Sequence, residues 1–278
     1  MLKWIKNNFV PIIILIMFET IAILLTYFTK KIFYLFNFSY IGICLFIGIC
    51  LYSHKVHYAR NVVQFLVGTY MLLYLGIISK ENMQMEGFWY YLFLGLFEAA
   101  VIHYLVAKIC GPLFFGRGWC GYACWTGMIL DLLPYKIPQS KRKNIGFIRY
   151  IMFFISLLYV ILLFSLNLSD LDTVMFYSFI IGNIIYYIIG IIFAFLFKDN
   201  RAFCKYFCPI TVFLKPASYF SRLRIKCESD KCIKCNKCIK SCPMNVDMTN
   251  NSRKRKNGTE CILCLNCINN CPKKALHL

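Results

Sequence analysis

Six stretches of about twenty mostly apolar residues, at 8–28, 33–52, 61–79, 88–107, 147–167 and 174–197, constrain this chain more than any other feature. A hydrocarbon core about 30 Å thick takes some twenty residues of helix to cross, and only a segment that satisfies its own backbone can do so. The pattern predicts a mainly α membrane protein with about six transmembrane helices, over residues 1–197. The second stretch has the softest edges, because Asn37 and Ser39 fall inside it. No cleavage pattern follows the first run, which reads as a retained helix rather than a signal peptide.

Charge orients these helices. Residues 108–146 hold six Lys and Arg against one acid, Asp131, which places that loop in the cytoplasm. The short connections 80–87 and 168–173 lean acidic and belong outside; Lys30 and Lys31 sit awkwardly in a third outer loop. Both termini then face the cytoplasm, across an inner (cytoplasmic) membrane. Of the 31 Lys and Arg, 17 lie from Lys198 onward, against five acids there. A net charge of +19 raises the question of nucleic acid, but basic cytoplasmic segments are what a multi-pass protein carries, so no nucleic-acid partner is expected.

Nine of the sixteen cysteines fall in the last 52 residues. Cys232, Cys235, Cys238 and Cys242-Pro243 form C-x2-C-x2-C-x3-C-P, and Cys261, Cys264, Cys267 and Cys271-Pro272 repeat it. Three cysteines at this spacing wrap backbone around one face of a [4Fe–4S] cube, and the fourth serves the other cube. The expected ligand sets are Cys232, Cys235, Cys238 and Cys271 for one cluster, and Cys261, Cys264, Cys267 and Cys242 for the other. Four-cysteine zinc sites use C-x2-C pairs and need no third cysteine two residues on, so a structural zinc protein is the weaker alternative. Cys227 lies outside the pattern as a spare thiol. The module resembles bacterial two-cluster ferredoxins, which implies a compact α+β fold of two short repeats over residues 227–278.

A second repeat lies at the membrane face. Residues 117–124 read R-G-W-C-G-Y-A-C and residues 201–208 read R-A-F-C-K-Y-F-C, each just after an apolar stretch. The match predicts two equivalent half-sites. Cys120 with Cys124, and Cys204 with Cys208, at i and i+4, would share a helix face. Four such thiolates suffice for a further iron–sulfur or soft-metal centre, with Arg117 and Arg201 offsetting its charge. Buried inert thiols are the plain alternative. The second pair lies in a connector, residues 198–226, that leads into the ferredoxin-like tail.

The stretch GPLFFGRGWCGYAC, the later CKYFCP and the terminal ferredoxin motifs together resemble the membrane polyferredoxins. That family includes the quinol-dehydrogenase-like component of periplasmic nitrate reductase systems and the related methylamine-utilisation and nitrous-oxide-regulator proteins. The resemblance covers roughly Phe88 to Leu278. It implies a protein passing electrons between a quinone pool or a cytoplasmic donor and a redox partner such as a reductase complex. The family's pairs end in C-P; here the second keeps Pro209 and the first has Trp125. A maturation factor that reduces a metal or thiol in another protein would use the same centres.

Other residues carry weaker signals. Glu19 and Glu98 lie inside apolar runs, where a carboxylate is costly and suits a proton path or quinol site unless paired, Glu98 for instance with His103. His54 and His57 stand three apart at a helix end; solvated side chains are the simpler reading than haem or metal ligands. Lys226, Lys231, Lys234, Lys237 and Lys240 ring the first motif and suit an acidic ferredoxin or flavodoxin. Gly116, Gly118 and Gly121 make a formal G-x-G-x-x-G with no strand before it, a coincidence. Cys110 and the first 87 residues carry no recognisable motif. With no Walker pattern and no nucleophile motif, the expectation is an electron carrier or oxidoreductase subunit rather than a stand-alone enzyme, without catalytic residues.

Overall fold

The computed structural model describes residues 9–54, 56, 58–97, 99–166 and 170–278. The chain is mostly helical and divides into two compact units. One comprises the described residues up to 70 together with 122–125, and the other residues 71–121 and 126–278.

The first unit is built on α1 (Phe9–Thr29), α2 (Phe33–Ser53) and α3 (Ala59–Thr69). Lys30 turns the chain between α1 and α2 in the left-handed region, φ 58°, with its ammonium over the Tyr27 ring. Ser39 donates to the Glu19 carboxylate at 2.6 Å, so this acid within an apolar helix has a hydroxyl partner on the next helix. Gly48 lets α2 approach α3 closely, since a Cβ there would collide with Val63. His54 follows α2 and is exposed, whereas His57 and Glu98 lie outside the described residues.

The α3 helix runs on, as π-helix, over Tyr70–Ile78, and the second unit takes up the chain from residue 71. It continues with α4 (Met85–Phe93) and α5 (Ala99–His103), the latter extended through Tyr104–Cys110 and Gly111–Phe115. A hairpin of two long helices follows, α8 (Ile148–Ser165) and α9 (Leu171–Phe197), preceded by the short α6 (Gly118–Tyr122) and α7 (Trp125–Leu130). Asp170 caps α9 by accepting from the Thr173 amide, satisfying an N–H that the helix start leaves open. Ile151, Phe154, Leu158, Ile184, Ile188 and Ile192 are bare along the hairpin, an apolar surface suited to lipid.

Five helices among the described residues are long and apolar enough to cross a membrane: Pro11–Thr29, Phe33–Ser53, Ala59–Ile78, Ile148–Ser165 and Leu171–Phe197. The fourth expected span, 88–107, is not one helix. Gly95, at φ 69°, stops α4 with two reciprocal bonds, its own N–H to Leu92 and that of Leu96 to Tyr91. These are the pair of contacts by which a left-handed residue closes a helix end. The chain resumes as the shorter apolar helix Ala100–Phe115.

The tail holds α10 (Ala202–Tyr206), α11 (Thr211–Tyr219) and a small module in which β1 (Lys226–Cys227) pairs antiparallel with β2 (Leu276–His277). Two one-turn helices, α12 (Lys237–Lys240) and α13 (Asn266–Asn269), complete it. Residues 198–226 are therefore less a linker than a helical mount, with Ala202, Phe203, Cys204, Lys205 and Tyr206 all buried.

Candidate iron–sulfur sites

The terminal module repeats itself in backbone conformation. Lys234, Asn236 and Asn245 have positive φ, and Leu263, Leu265 and Lys274 have it at the corresponding places of the second motif. A leucine pays a steric penalty in this region, so its presence twice marks a required path rather than a relaxed loop. Alternating left-handed residues on either side of Cys235 and Cys264 turn successive amides inward, the geometry of an anion-binding nest. Further amides meet sulfur directly: Val246 N–H donates to Cys242 Sγ at 3.4 Å and Ala275 N–H to Cys271 Sγ at 3.3 Å.

Two cavities result. One, of about 360 Å³, is lined by Cys232, Cys235, Cys238 and Cys271, with Cys227 as a fifth thiol. The other, of about 250 Å³, is lined by Cys261, Cys264, Cys267 and Cys242. Each thus draws three cysteines from one motif and one from the other. Among the described residues, no three His, Cys, Asp or Glu side chains converge as they would on a single metal ion. The thiols instead stand around spaces. Burial pushes the Cys261 thiol up to about 12 and raises that of Cys242 as well. Thiolates in such places need a positive ligand centre to be stable.

The two cysteine pairs share one local design, which differs from a continuous helix. Cys120 lies in α6 and Cys204 in α10, each five residues long, while Cys124 and Cys208 follow after the helix has ended. The i, i+4 helix-face expectation fails for a physical reason at the second pair: a residue before proline, here Cys208 before Pro209, is disfavoured in α conformation. Cys124 belongs to the first unit, where its carbonyl accepts from Gln64 at 3.4 Å.

The other three cysteines surround two arginines in the second unit. Arg117 reaches its own Cys120 Sγ at 3.9 Å and the other motif's Cys204 carbonyl at 3.4 Å. Arg201 reciprocates, meeting Cys204 Sγ at 3.9 Å and the Cys120 carbonyl at 3.1 Å. Each arginine so ties the two half-sites together. Burial opposes the Arg117 charge, but Glu260 and the sulfurs of Cys120, Cys204 and Cys208 more than offset this and raise its affinity for the proton. Arg117 Nε is a buried donor without a protein acceptor, on the guanidinium that reaches Cys120 Sγ, so it fits an anionic group there.

The carboxylates break the symmetry. Arg201 pairs with Asp131, eleven residues after Cys120. The equivalent place after Cys204 is Lys215, of the wrong sign to serve Arg117. Glu260, from the terminal module, takes the role: it pairs with Arg117, with Arg142 at 3.0 Å, Arg149 at 3.1 Å and Lys215 at 3.7 Å. Burial alone would raise this carboxyl, yet Arg117, Arg149 and Arg142 hold it down to about 2. Nothing in the ferredoxin-like spacing singles Glu260 out; the Asp131-to-Lys215 exchange within the repeat is the signal that a carboxylate must come from elsewhere.

Further contacts fasten the module beside the pairs. Arg117 N–H donates to the Cys261 carbonyl at 3.2 Å, and a Cβ on Gly121 would run into the Ile262 carbonyl oxygen. Lys205 bridges Asp199 at 2.5 Å and Asn245 at 2.6 Å, and Arg142 reaches the Met244 carbonyl at 3.3 Å. The Cys261–Ile262 backbone, at the edge of the cavity of Cys261, Cys264, Cys267 and Cys242, therefore packs against the Arg117–Gly121 segment. Cys235 of the other cavity is exposed among Lys231, Lys234, Lys237 and Lys240, which are exposed too.

Comparison with known proteins finds 4Fe–4S signatures in both regions. Residues 224–272 match the family model of a 4Fe-4S dicluster domain, and residues 105–144 with 177–227 match that of a 4Fe-4S binding domain. Two uncharacterized proteins of the archaeon Methanocaldococcus jannaschii are similar. One is 30% identical over 158 residues, 52% of this chain and 66% of the relative; the other is 26% identical over 145 residues, 48% and 54% respectively. The chain thus spans less than two thirds of either relative's length. No solved structure matches. The chain thus carries 4Fe–4S-binding domains, with family matches on its terminal module and on each of the two segments that hold a cysteine pair.

Proposed function

We propose that this protein is a multi-pass membrane electron-transfer protein whose terminal module holds two [4Fe–4S] clusters. The cysteine-lined cavities carry the reading. Cys232, Cys235, Cys238 and Cys271 would hold one cluster, and Cys261, Cys264, Cys267 and Cys242 the other. When bound, such clusters supply one-electron donors and acceptors whose potentials respond to nearby charge, hydrogen bonds and solvent.

The chain's residues then have distinct tasks. Exposed Cys235 and the lysines around it form the face where an acidic redox protein docks, complementary charge speeding encounter more than tightening it. Arg117 and its Cys261 contact hold the inner cluster site against the paired cysteines. Cys120, Cys124, Cys204 and Cys208 are the proposed ligands of a further iron–sulfur centre, with Arg117 and Arg201 neutralising it. A quinone or a partner reductase would exchange electrons there, in keeping with the polyferredoxin resemblance.

Topology fits this scheme if the interrupted segment 85–115 crosses the bilayer as a broken helix, making six passes in an inner membrane with the terminal module in the cytoplasm. Tyr90 in α4 bonds Asp172 at the start of α9, at 2.8 Å, whereas Arg117 meets Cys204 just beyond that helix's end. Between these points the chain travels the length of a 27-residue helix, about 40 Å at 1.5 Å per residue. Tyr90 and Val101 on either side of the break are buried, but Leu94, Leu96 and Phe97 at the break itself are exposed, so this crossing requires that the open backbone there meet water or another protein surface.

The test is iron and acid-labile sulfide per chain in anaerobically purified protein, with EPR after dithionite reduction, compared with a Cys120→Ala, Cys204→Ala variant. More than about eight irons, falling to about eight in the variant, is the expected result. About eight in both samples would remove the third centre. Zinc with little iron would overturn electron transfer altogether.

A further inference from the structure

An open cleft lies where the apolar helix ending at Phe115 meets the loop 253–261, apart from the two cysteine-lined spaces except for a shared wall at Cys261. Its lining includes Arg224, Arg253, Arg255, Ser221 and Thr259, and no acid. Each guanidinium is positioned by main-chain carbonyls. Arg253 donates to Tyr219 at 2.6 Å and Ser221 at 3.2 Å, Arg255 to Ile225 at 2.8 Å, and Arg224 to Asn251. Among the described residues, no carboxylate pairs with any of the three. Carbonyls orient an arginine but leave its charge standing, so three like charges share one opening. Arg224 is depressed by burial and by Arg255 and Arg253, which is the electrostatic mark of that crowding. Arg255, 5% exposed, also bears on Cys261, so its charge serves the cluster site; Arg253 is exposed and Arg224 partly so, at the mouth.

Next to the mouth is an apolar shelf. Leu113, Phe114, Phe220 and Leu223 are 39%, 47%, 62% and 40% exposed, with Arg222 over the Phe114 ring. Amides of Arg222 and Leu223 bond the Leu113 and Phe114 carbonyls at 2.9 and 2.8 Å, fixing shelf and cleft side by side. Bare aromatics next to unpaired arginines at the end of an apolar helix are what the boundary between acyl chains and headgroups selects.

We propose that this cleft binds the phosphate group of an anionic phospholipid, with Arg224 and Arg253 as the headgroup ligands and the shelf under the acyl chains. Planar guanidiniums suit phosphate oxygens, forming paired charge-assisted hydrogen bonds. The bound lipid would lie against the loop that carries Cys261 and brace it. The inference rests on the membrane reading, whose own failure would show separately, as a protein that stays soluble without detergent.

The test uses intact protein exchanged into vesicles of phosphatidylcholine alone or with phosphatidylglycerol, then extracted and examined by native mass spectrometry for retained lipid. The wild-type protein should retain phosphatidylglycerol over phosphatidylcholine. An Arg224→Gln, Arg253→Gln variant should retain it about thirtyfold less well, the factor for losing two charges near a surface. Lys254→Gln, which removes a neighbouring exposed charge outside the cleft, should retain it as wild type does. Iron per chain should be unchanged in both variants. Equal retention of the two lipids by wild-type protein, or equal loss in Lys254→Gln, would overturn the site. Full displacement by inorganic phosphate would overturn the lipid assignment in favour of a free oxyanion.

Discussion

Replacing Glu260 by Gln removes one negative charge from a place where Arg117, Arg142, Arg149 and Lys215 converge, while keeping the side chain's shape. Glu260, Arg117 and Arg149 are each about 1% exposed or less, so water cannot absorb the change. Breaking a buried pair by deleting one partner costs about 3–5 kcal/mol, because the remaining charge stays buried and uncompensated. At about 1.4 kcal/mol per tenfold, that is roughly a 10²- to 4 × 10³-fold rise in the fraction of molecules with the terminal module detached from its mount. Native-state hydrogen exchange reads this directly as lost protection across residues 224–278, with α8 and α9 as an internal reference. Glu228→Gln is the control: its pair with Lys231 is 40% and 59% exposed, and such surface pairs contribute about 0–1 kcal/mol. Adding Lys215→Met to Glu260→Gln should restore part of the protection by removing one of the stranded cations. Protection within about threefold of wild type in Glu260→Gln, a change of about 0.6 kcal/mol, would refute the argument that this carboxylate holds the module.

Three further outcomes are expected. Gly121→Ala drives a Cβ against the Ile262 carbonyl and should cost about 1–3 kcal/mol, seen as lost exchange protection around residues 260–263; unchanged protection would mean the loop yields freely. Arg201→Lys keeps the charge but loses the fork shared by Asp131, Cys120 and Cys204, so iron beyond about eight per chain should fall while the two-cluster EPR signal persists. Reversing Lys234 and Lys237 to Glu should slow reduction by an acidic ferredoxin by about tenfold or more at low ionic strength, the difference shrinking with salt; a salt-independent rate would place docking elsewhere.

Features readable along the chain were those set by local spacing. A C-x2-C-x2-C-x3-C-P run dictates how backbone wraps a cavity because its ligands are neighbours in sequence, and a twenty-residue apolar run dictates a helix because lipid offers the backbone no other partner. The equivalence of Arg117 with Arg201 was likewise visible as a repeat, though not that each would reach the other motif's carbonyl. The break at Gly95 was hidden in an unbroken run of apolar letters, since hydropathy does not register the sign of φ. Cys124 and Cys208 lie beyond the ends of their helices because each short helix ends before i+4, which periodicity alone cannot foretell.

Glu260 marks the division most sharply. Its sequence position, one residue before a ligand motif in a loop rich in Arg and Lys, suggests a solvated surface acid. Its partners lie 143, 118, 111 and 45 residues away, and folding buries all of them to different depths around it. Sequence by itself determined the ligand types, their spacing and the apolar segments, because each depends on contacts a few residues long. Only the tertiary structure decided which charges share a dry environment. Coulomb energy depends on distance and surrounding dielectric, and packing sets both.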